Sequence, residues 1–126
     1  MTPEERTTLS AMVAAERRRT AANEAGLVAE LESVIEASAQ ANLDDEHDPE
    51  GATVGYERAR VASLLAAARA RLTRLDQAAD RLEAGAYGAC GRCGNPIPIE
   101  RLVAHPAAVT CVACEADRAR SPLYRR

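Results

Sequence analysis

Two Cys-x-x-Cys knuckles, Cys90-Gly-Arg-Cys93 and Cys111-Val-Ala-Cys114, constrain this chain more than any other feature. Two residues between the cysteines of a pair let both thiolates turn toward one point, and a loop of seventeen residues lets the second pair complete a tetrahedron around Zn²⁺. Gly88, Gly91 and Gly94 surround the first knuckle, where the backbone must turn its amides toward sulfur. All four cysteines are used, so no coordination position is left for a substrate. The pattern therefore reads as one closed, structural zinc site, set against two disulfides or a dithiol redox function.

The N-terminal Met1-Thr-Pro-Glu-Glu5 has neither the basic nor the apolar region of a secretion signal, and no apolar run reaches membrane-spanning length. The expected location is cytoplasmic, where thiols stay reduced and bind metal. No membrane association is expected.

The absence of Trp and Phe, with only three Tyr, excludes a thick aromatic core. Alanine supplies much of the 47% hydrophobic content, which suits helices packed closely along a thin seam. All sixteen basic residues are Arg, and the formal net charge is -3. Four thiolates around one Zn²⁺ make that about two units more negative. Such a surface does not suit general binding to DNA or anionic membrane, and sequence-specific DNA binding is not expected.

Thr2-Pro3-Glu4-Glu5 opens a helix, with Thr2 and Glu5 at the spacing of a capping box and Pro3 at the first helical position. Good helix formers then continue without proline to about Asn42. Leu27, Leu31, Val34, Ser38 and Ala41 follow the alternating spacing of a coiled-coil seam. Earlier in the helix, Arg17 and Glu24 fall where that seam would pass, so this half either frays or packs on the zinc module. Leu43-Asp-Asp-Glu-His-Asp-Pro-Glu-Gly-Ala52 then breaks the helix, because Asp48 before Pro49 disfavours helical geometry.

A second helix is better specified. Val54, Val61, Ala68, Leu75 and Leu82 repeat every seven residues, and Leu65, Leu72, Ala79 and Ala86 form a second series offset by four. A helix from Pro49 to Ala84 would be on the order of 50 Å long, nearly matched by the first. The expected fold is mainly α: an antiparallel coiled-coil hairpin over 1–86 with its tip at about 43–52, a four-cysteine zinc finger with a short C-terminal helix over 87–120, and a flexible tail at 121–126. Gly85 and Gly88 stop the second helix. Asn95-Pro-Ile-Pro-Ile99 reads as extended, Arg101-Leu-Val-Ala-His-Pro106 as a further strand or turn, and Glu115–Arg120 as about one and a half helical turns.

Tyr87-Gly-Ala-Cys-Gly-Arg-Cys-Gly-Asn-Pro-Ile-Pro-Ile-Glu-Arg-Leu-Val-Ala-His-Pro106, followed by Cys111-Val-Ala-Cys114, resembles the zinc-finger signature of the DksA/TraR family. A long helical hairpin with an acidic tip ahead of the finger is similar to the same family. The resemblance implies a transcription regulator that binds RNA polymerase and inserts its coiled coil through the secondary channel, and an intramolecular hairpin predicts a monomer. The resemblance further implies that the tip residues Asp44, Asp45, Glu46, Asp48 and Glu50 approach the active centre.

The sequence departs from the family in two places. Its tip pattern is Asp-x-x-Asp-x-Ala; Asp45 and Asp48 keep the spacing, but Glu50 stands at the alanine position and Ala52 comes two places late. His105 and Glu115 stand where alarmone-responsive members have basic residues. A carboxylate facing a polyphosphate is repulsive, so strong alarmone binding is not expected there.

Simpler roles compete at each residue. Asp48 suits the N-cap of the second helix, and Asp44, Asp45 and Glu46 suit a solvated turn. His47 and His105 read as surface or packing residues, since four cysteines already satisfy zinc. Arg17-Arg-Arg19 points around a helix rather than along one face. A zinc-ribbon adapter for protein or single-stranded nucleic acid is the alternative function, with a thiol redox sensor behind it. No Ser/His/Asp set, phosphate loop or open metal site suggests an enzyme.

Overall fold

The computed structural model describes residues 1–44 and 49–120, without the side chains of 41–51. Four helices follow one another: α1 (Pro3–Asp44), α2 (Pro49–Ala84), α3 (Ile99–Ala104) and α4 (Val112–Ala119). Among the described residues, none of them is long and apolar enough to cross a membrane. The chain divides into two compact units, one of Met1–Arg17 with Arg74–Arg126 and one of Arg18–Thr73.

In the Arg18–Thr73 unit, α1 and α2 bury Leu27, Val61, Leu65 and Ala68 between them, with Val28, Leu31 and Val34 packed alongside. All of these except Val28 are seam residues of the series read from the sequence, so burial here follows the sequence period. The helices run antiparallel, because Glu24 pairs with Arg69 at 3.5 Å while the later Glu30 pairs with the earlier Arg60 at 3.3 Å. Glu24, which interrupts the α1 seam, is thus turned toward an arginine on the neighbouring helix. These pairs are exposed and set register more than they stabilise.

In the other unit, the start of α1 is well held. Thr2 and Glu5 exchange hydrogen bonds of 3.0 Å in each direction, completing the capping box. Those bonds, the one from the Thr2 backbone first, hold the Glu5 carboxyl below its ordinary range. Val13 is buried against Ala78 and Leu82 of α2, and Arg17 pairs with Asp76 at 2.6 Å. The first half of α1 therefore packs rather than frays.

Gly85 ends α2 with φ at +76. Its N–H donates to Leu82 O, and the Ala86 N–H reaches back to Arg81 O at 2.8 Å. That paired 5→2 and 6→1 arrangement is a Schellman motif, and the glycine supplies the left-handed residue it needs. The Arg6 guanidinium donates to the Leu82 carbonyl at the same helix end, where a positive charge also favours the helix dipole.

Candidate metal centre

The polypeptide leaves α2 and turns twice at left-handed glycines, Gly88 (φ +91) and Gly94 (φ +77). Between them, the Gly94 N–H donates to Cys90 O at 2.9 Å and the Cys90 N–H to Asn95 O at 2.8 Å. Ala89 and Pro96 form an antiparallel bridge, so the segment Asn95–Ile99 is extended where it meets the knuckle. Ile97 donates its N–H to Gly88 O at 2.7 Å and buries its side chain.

The stretch after it differs from the expectation of a strand or turn. Residues 99–104 form α3, with Pro98 at the N-cap position and Glu100 in the first turn. Proline before the first turn presets φ without losing a needed donor, and Leu102 is the residue this short helix buries. The last helix also starts earlier than Glu115. Cys111 occupies the N-cap position of α4 with extended backbone, and Cys114 lies in its first turn. The second knuckle is therefore a helix start, which fixes the spacing between its two sulfurs.

Several side chains tie the knuckles together. Arg92 Nη1 donates to Cys114 O at 3.1 Å, Arg101 Nε to Thr110 O at 2.9 Å, and Tyr87 Oη to Pro106 O at 2.7 Å. The Gly91 N–H donates to Val109 O at 2.8 Å. Cys90 and Cys114 are buried with Leu9, Ile97 and Leu102, while Cys111 is half-buried and Cys93 exposed. Leu9, at the start of α1, is fully buried here. Its place beneath the sulfurs is not legible in the sequence, because helical spacing shows that it faces inward but not what it faces.

The four sulfurs lie within 4.8 Å of one another, and Cys93 Sγ stands 3.9 Å from Cys111 Sγ. A tetrahedron with Zn–S bonds of about 2.3 Å puts its sulfurs about 3.8 Å apart, so the cluster fits zinc. Backbone N–H groups of Cys93 first, then Cys111, lower the Cys90 thiol to about 6. Hydrogen bonding to the Cys111 thiol first, then burial, pushes Cys114 up to about 12. Backbone amides aimed at sulfur favour the thiolate that a metal requires. With the metal bound, the four thiolates close its coordination shell, and its contribution is structural.

Residues 85–120 match the family model described as "Prokaryotic dksA/traR C4-type zinc finger". This segment is similar to the zinc fingers of that family. An uncharacterized protein of Aquifex aeolicus (strain VF5) is 44% identical over 45 residues, which cover 36% of this chain. The match spans 31% of that curated relative's length. Transcription factor DksA2 from Pseudomonas aeruginosa has a structure similar to this one, with a TM-score of 0.79 at 22% identity, over 95% of this chain and 87% of that one. The fold is that of DksA, with one four-cysteine zinc finger following two long helices.

Among the described residues, the others singled out from the sequence do not join the finger's metal cluster. His105 is exposed, and its backbone N–H closes α3 by donating to Arg101 O at 2.7 Å. Glu115 accepts a 2.8 Å hydrogen bond from Thr110 Oγ1 and pairs with Arg118 at 3.9 Å. Asp44 is the last residue of α1 and Glu50 the second of α2, with side chains outside the description. Asp45, Glu46, His47 and Asp48 lie outside the described residues, as does the tail at 121–126.

Proposed function

We propose that this protein is a transcription regulator that binds RNA polymerase and inserts the acidic turn between α1 and α2 into the secondary channel. The observation that carries the reading is the combination of a DksA/TraR finger with two long helices in the DksA fold. Within the Arg18–Thr73 unit, α1 and α2 bury the small Ala68 beside Leu27, Val61 and Leu65, a seam without aromatic side chains that supports this reading. Carboxylates at Asp44, Asp45, Glu46, Asp48 and Glu50 would perturb a Mg²⁺ site or the basic residues around it.

In this reading residues 1–86 serve as the inserting hairpin, 87–120 as the finger that holds its base, and 121–126 as a tail. The protein acts as a cytoplasmic monomer and not as an enzyme. Glu115 opposes a polyphosphate at the finger, so the alarmone is not needed there. Glu50, in place of the family's alanine, adds a carboxylate to the tip and alters the outcome at the active centre rather than entry into the channel.

A photo-crosslinker at position 48 of the zinc-loaded protein, mixed with RNA polymerase from its own organism, tests this. A crosslink near the active centre that a known secondary-channel binder abolishes is expected. Binding that ignores the competitor, or no binding, would transfer the finger to an adapter role.

A further inference from the structure

Two clefts lie between the start of α1 and the finger, in the Met1–Arg17/Arg74–Arg126 unit, and the metal centre uses neither. Each has a volume of about 430 Å³, within the range of roughly 300–1,000 Å³ in which small ligands bind. One is lined by the polar Thr2, Arg6 and Thr7. The Arg6 guanidinium donates to the Leu82 carbonyl, and among the described residues no carboxylate pairs with it. The other cleft is walled by Ile97, Pro98, Ile99 and Leu102, of which Ile97 and Leu102 are buried. Met1 and Tyr87 line both.

Met1 is the partition between them. Its residue is 61% exposed, yet its methyl group reaches Gly88 so closely that a Cβ there would stand 2.7 Å from Met1 Cε. An unbranched chain, as thin as an alkyl chain, thus already lies against the apolar cleft while burying little of itself. A thioether fills irregular gaps and gives way at small cost, so Met1 is an occupant that a better-fitting chain displaces.

We infer that the two clefts form one binding site for an unbranched aliphatic carboxylate of the fatty-acid class, with its chain replacing Met1 against Gly88, Ile97 and Leu102 and its head group on Arg6. Charge fixes the direction. Glu5 lines the apolar cleft and repels a carboxylate there, whereas Arg6 attracts it at the polar cleft and presents a planar fork of N–H donors. The site goes beyond the polymerase reading and stands or falls without it.

Decanoate titrated into the zinc-loaded protein tests the site, followed by the methyl resonances of Ile97, Ile99 and Leu102. Leu27 and Val61, in a separate cluster, serve as internal controls. Saturable shifts at the first three and none at the controls are expected. Decanol and decylammonium should bind about tenfold more weakly, because neither brings an anionic acceptor to Arg6. Arg6→Gln should weaken decanoate by a similar factor, and Arg6→Lys, which keeps the charge, should recover most of it. The three ligands are also compared on wild type, so a folding defect in Arg6→Gln leaves the test intact. Equal affinity for the three ligands, no shift at Ile97 and Leu102, or equal shifts at Leu27 and Val61 would overturn the inference.

Discussion

The Tyr87 hydroxyl donates to the Pro106 carbonyl at 2.7 Å, joining the residues ahead of the first knuckle to those ahead of the second. Pro106 is buried, so removing the donor leaves a carbonyl without water to replace it. Tyr87→Phe is expected to destabilise the Met1–Arg17/Arg74–Arg126 unit by about 1–2 kcal/mol. Chelator-driven zinc loss should be faster in the variant, followed with a metal-sensitive dye. An unchanged melting temperature and release rate would show that this bond is dispensable.

The same tyrosine gives a pH dependence. Burial raises its phenol above the ordinary value of 10, the nearby Arg81 charge opposing in part. A group whose folded pKa is raised holds its proton more tightly in the native state. Its contribution to stability is complete below about pH 10 and is lost as the pH rises beyond that. Denaturant midpoints measured between about pH 9 and 11 should fall more steeply for wild type than for Tyr87→Phe.

At Gly85 the backbone takes φ +76 to close the Schellman turn, and a Cβ there would meet nothing within 4 Å. Space is not the constraint; conformation is. Gly85→Ala should therefore cost about 1 kcal/mol, and Gly85→Asn less, because asparagine tolerates the left-handed region. Equal melting temperatures for glycine and alanine would mean that α2 ends some other way.

Much of this architecture could be read from residue spacing. The heptad positions Val61, Leu65, Ala68, Leu75 and Leu82 are buried as their period requires, whereas Ala86 of the second series is exposed beyond the end of α2; the Thr2/Glu5 box forms. The finger's four cysteines converge because Cys-x-x-Cys leaves little alternative. What spacing could not show was tertiary choice. Arg101–Pro106 has too few residues for a helical period to declare itself, and Pro98 and Leu102 decide for α3 only once a core is there to receive Leu102. Arg92 and Arg101 have the look of surface charges in the sequence, yet each reaches a carbonyl next to or within the second knuckle, a pairing that depends on a fold of the loop between.

Leu65 lies 5% exposed in the seam of the Arg18–Thr73 unit. Leu65→Ala should remove about 2–4 kcal/mol, since Leu27, Val61 and Ala68 around it would close the cavity only in part. Hydrogen exchange should show the loss first in amides near Leu27 and Val61. Uniform loss across the whole chain would indicate that the two compact units unfold together.

Cys90 and Cys93 offer the sharpest test of the metal centre, because they share one knuckle but differ in surroundings. Cys90 sits among Leu9, Ile97 and Leu102, whereas Cys93 is exposed. Either serine substitution removes a thiolate and weakens zinc binding. Cys90→Ser also places a hydroxyl in an apolar core, a burial that costs free energy unless a partner is found. Chelation of wild type and Cys90→Ser should therefore both loosen residues 85–120, read as loss of amide protection there, while Leu27, Val61 and Leu65 keep theirs in their own cluster. Cys93→Ser should bind zinc more weakly yet regain protection when excess metal is supplied. If Cys90→Ser recovers as readily as Cys93→Ser, then burial of the first cysteine contributes nothing, and the metal alone organises the finger.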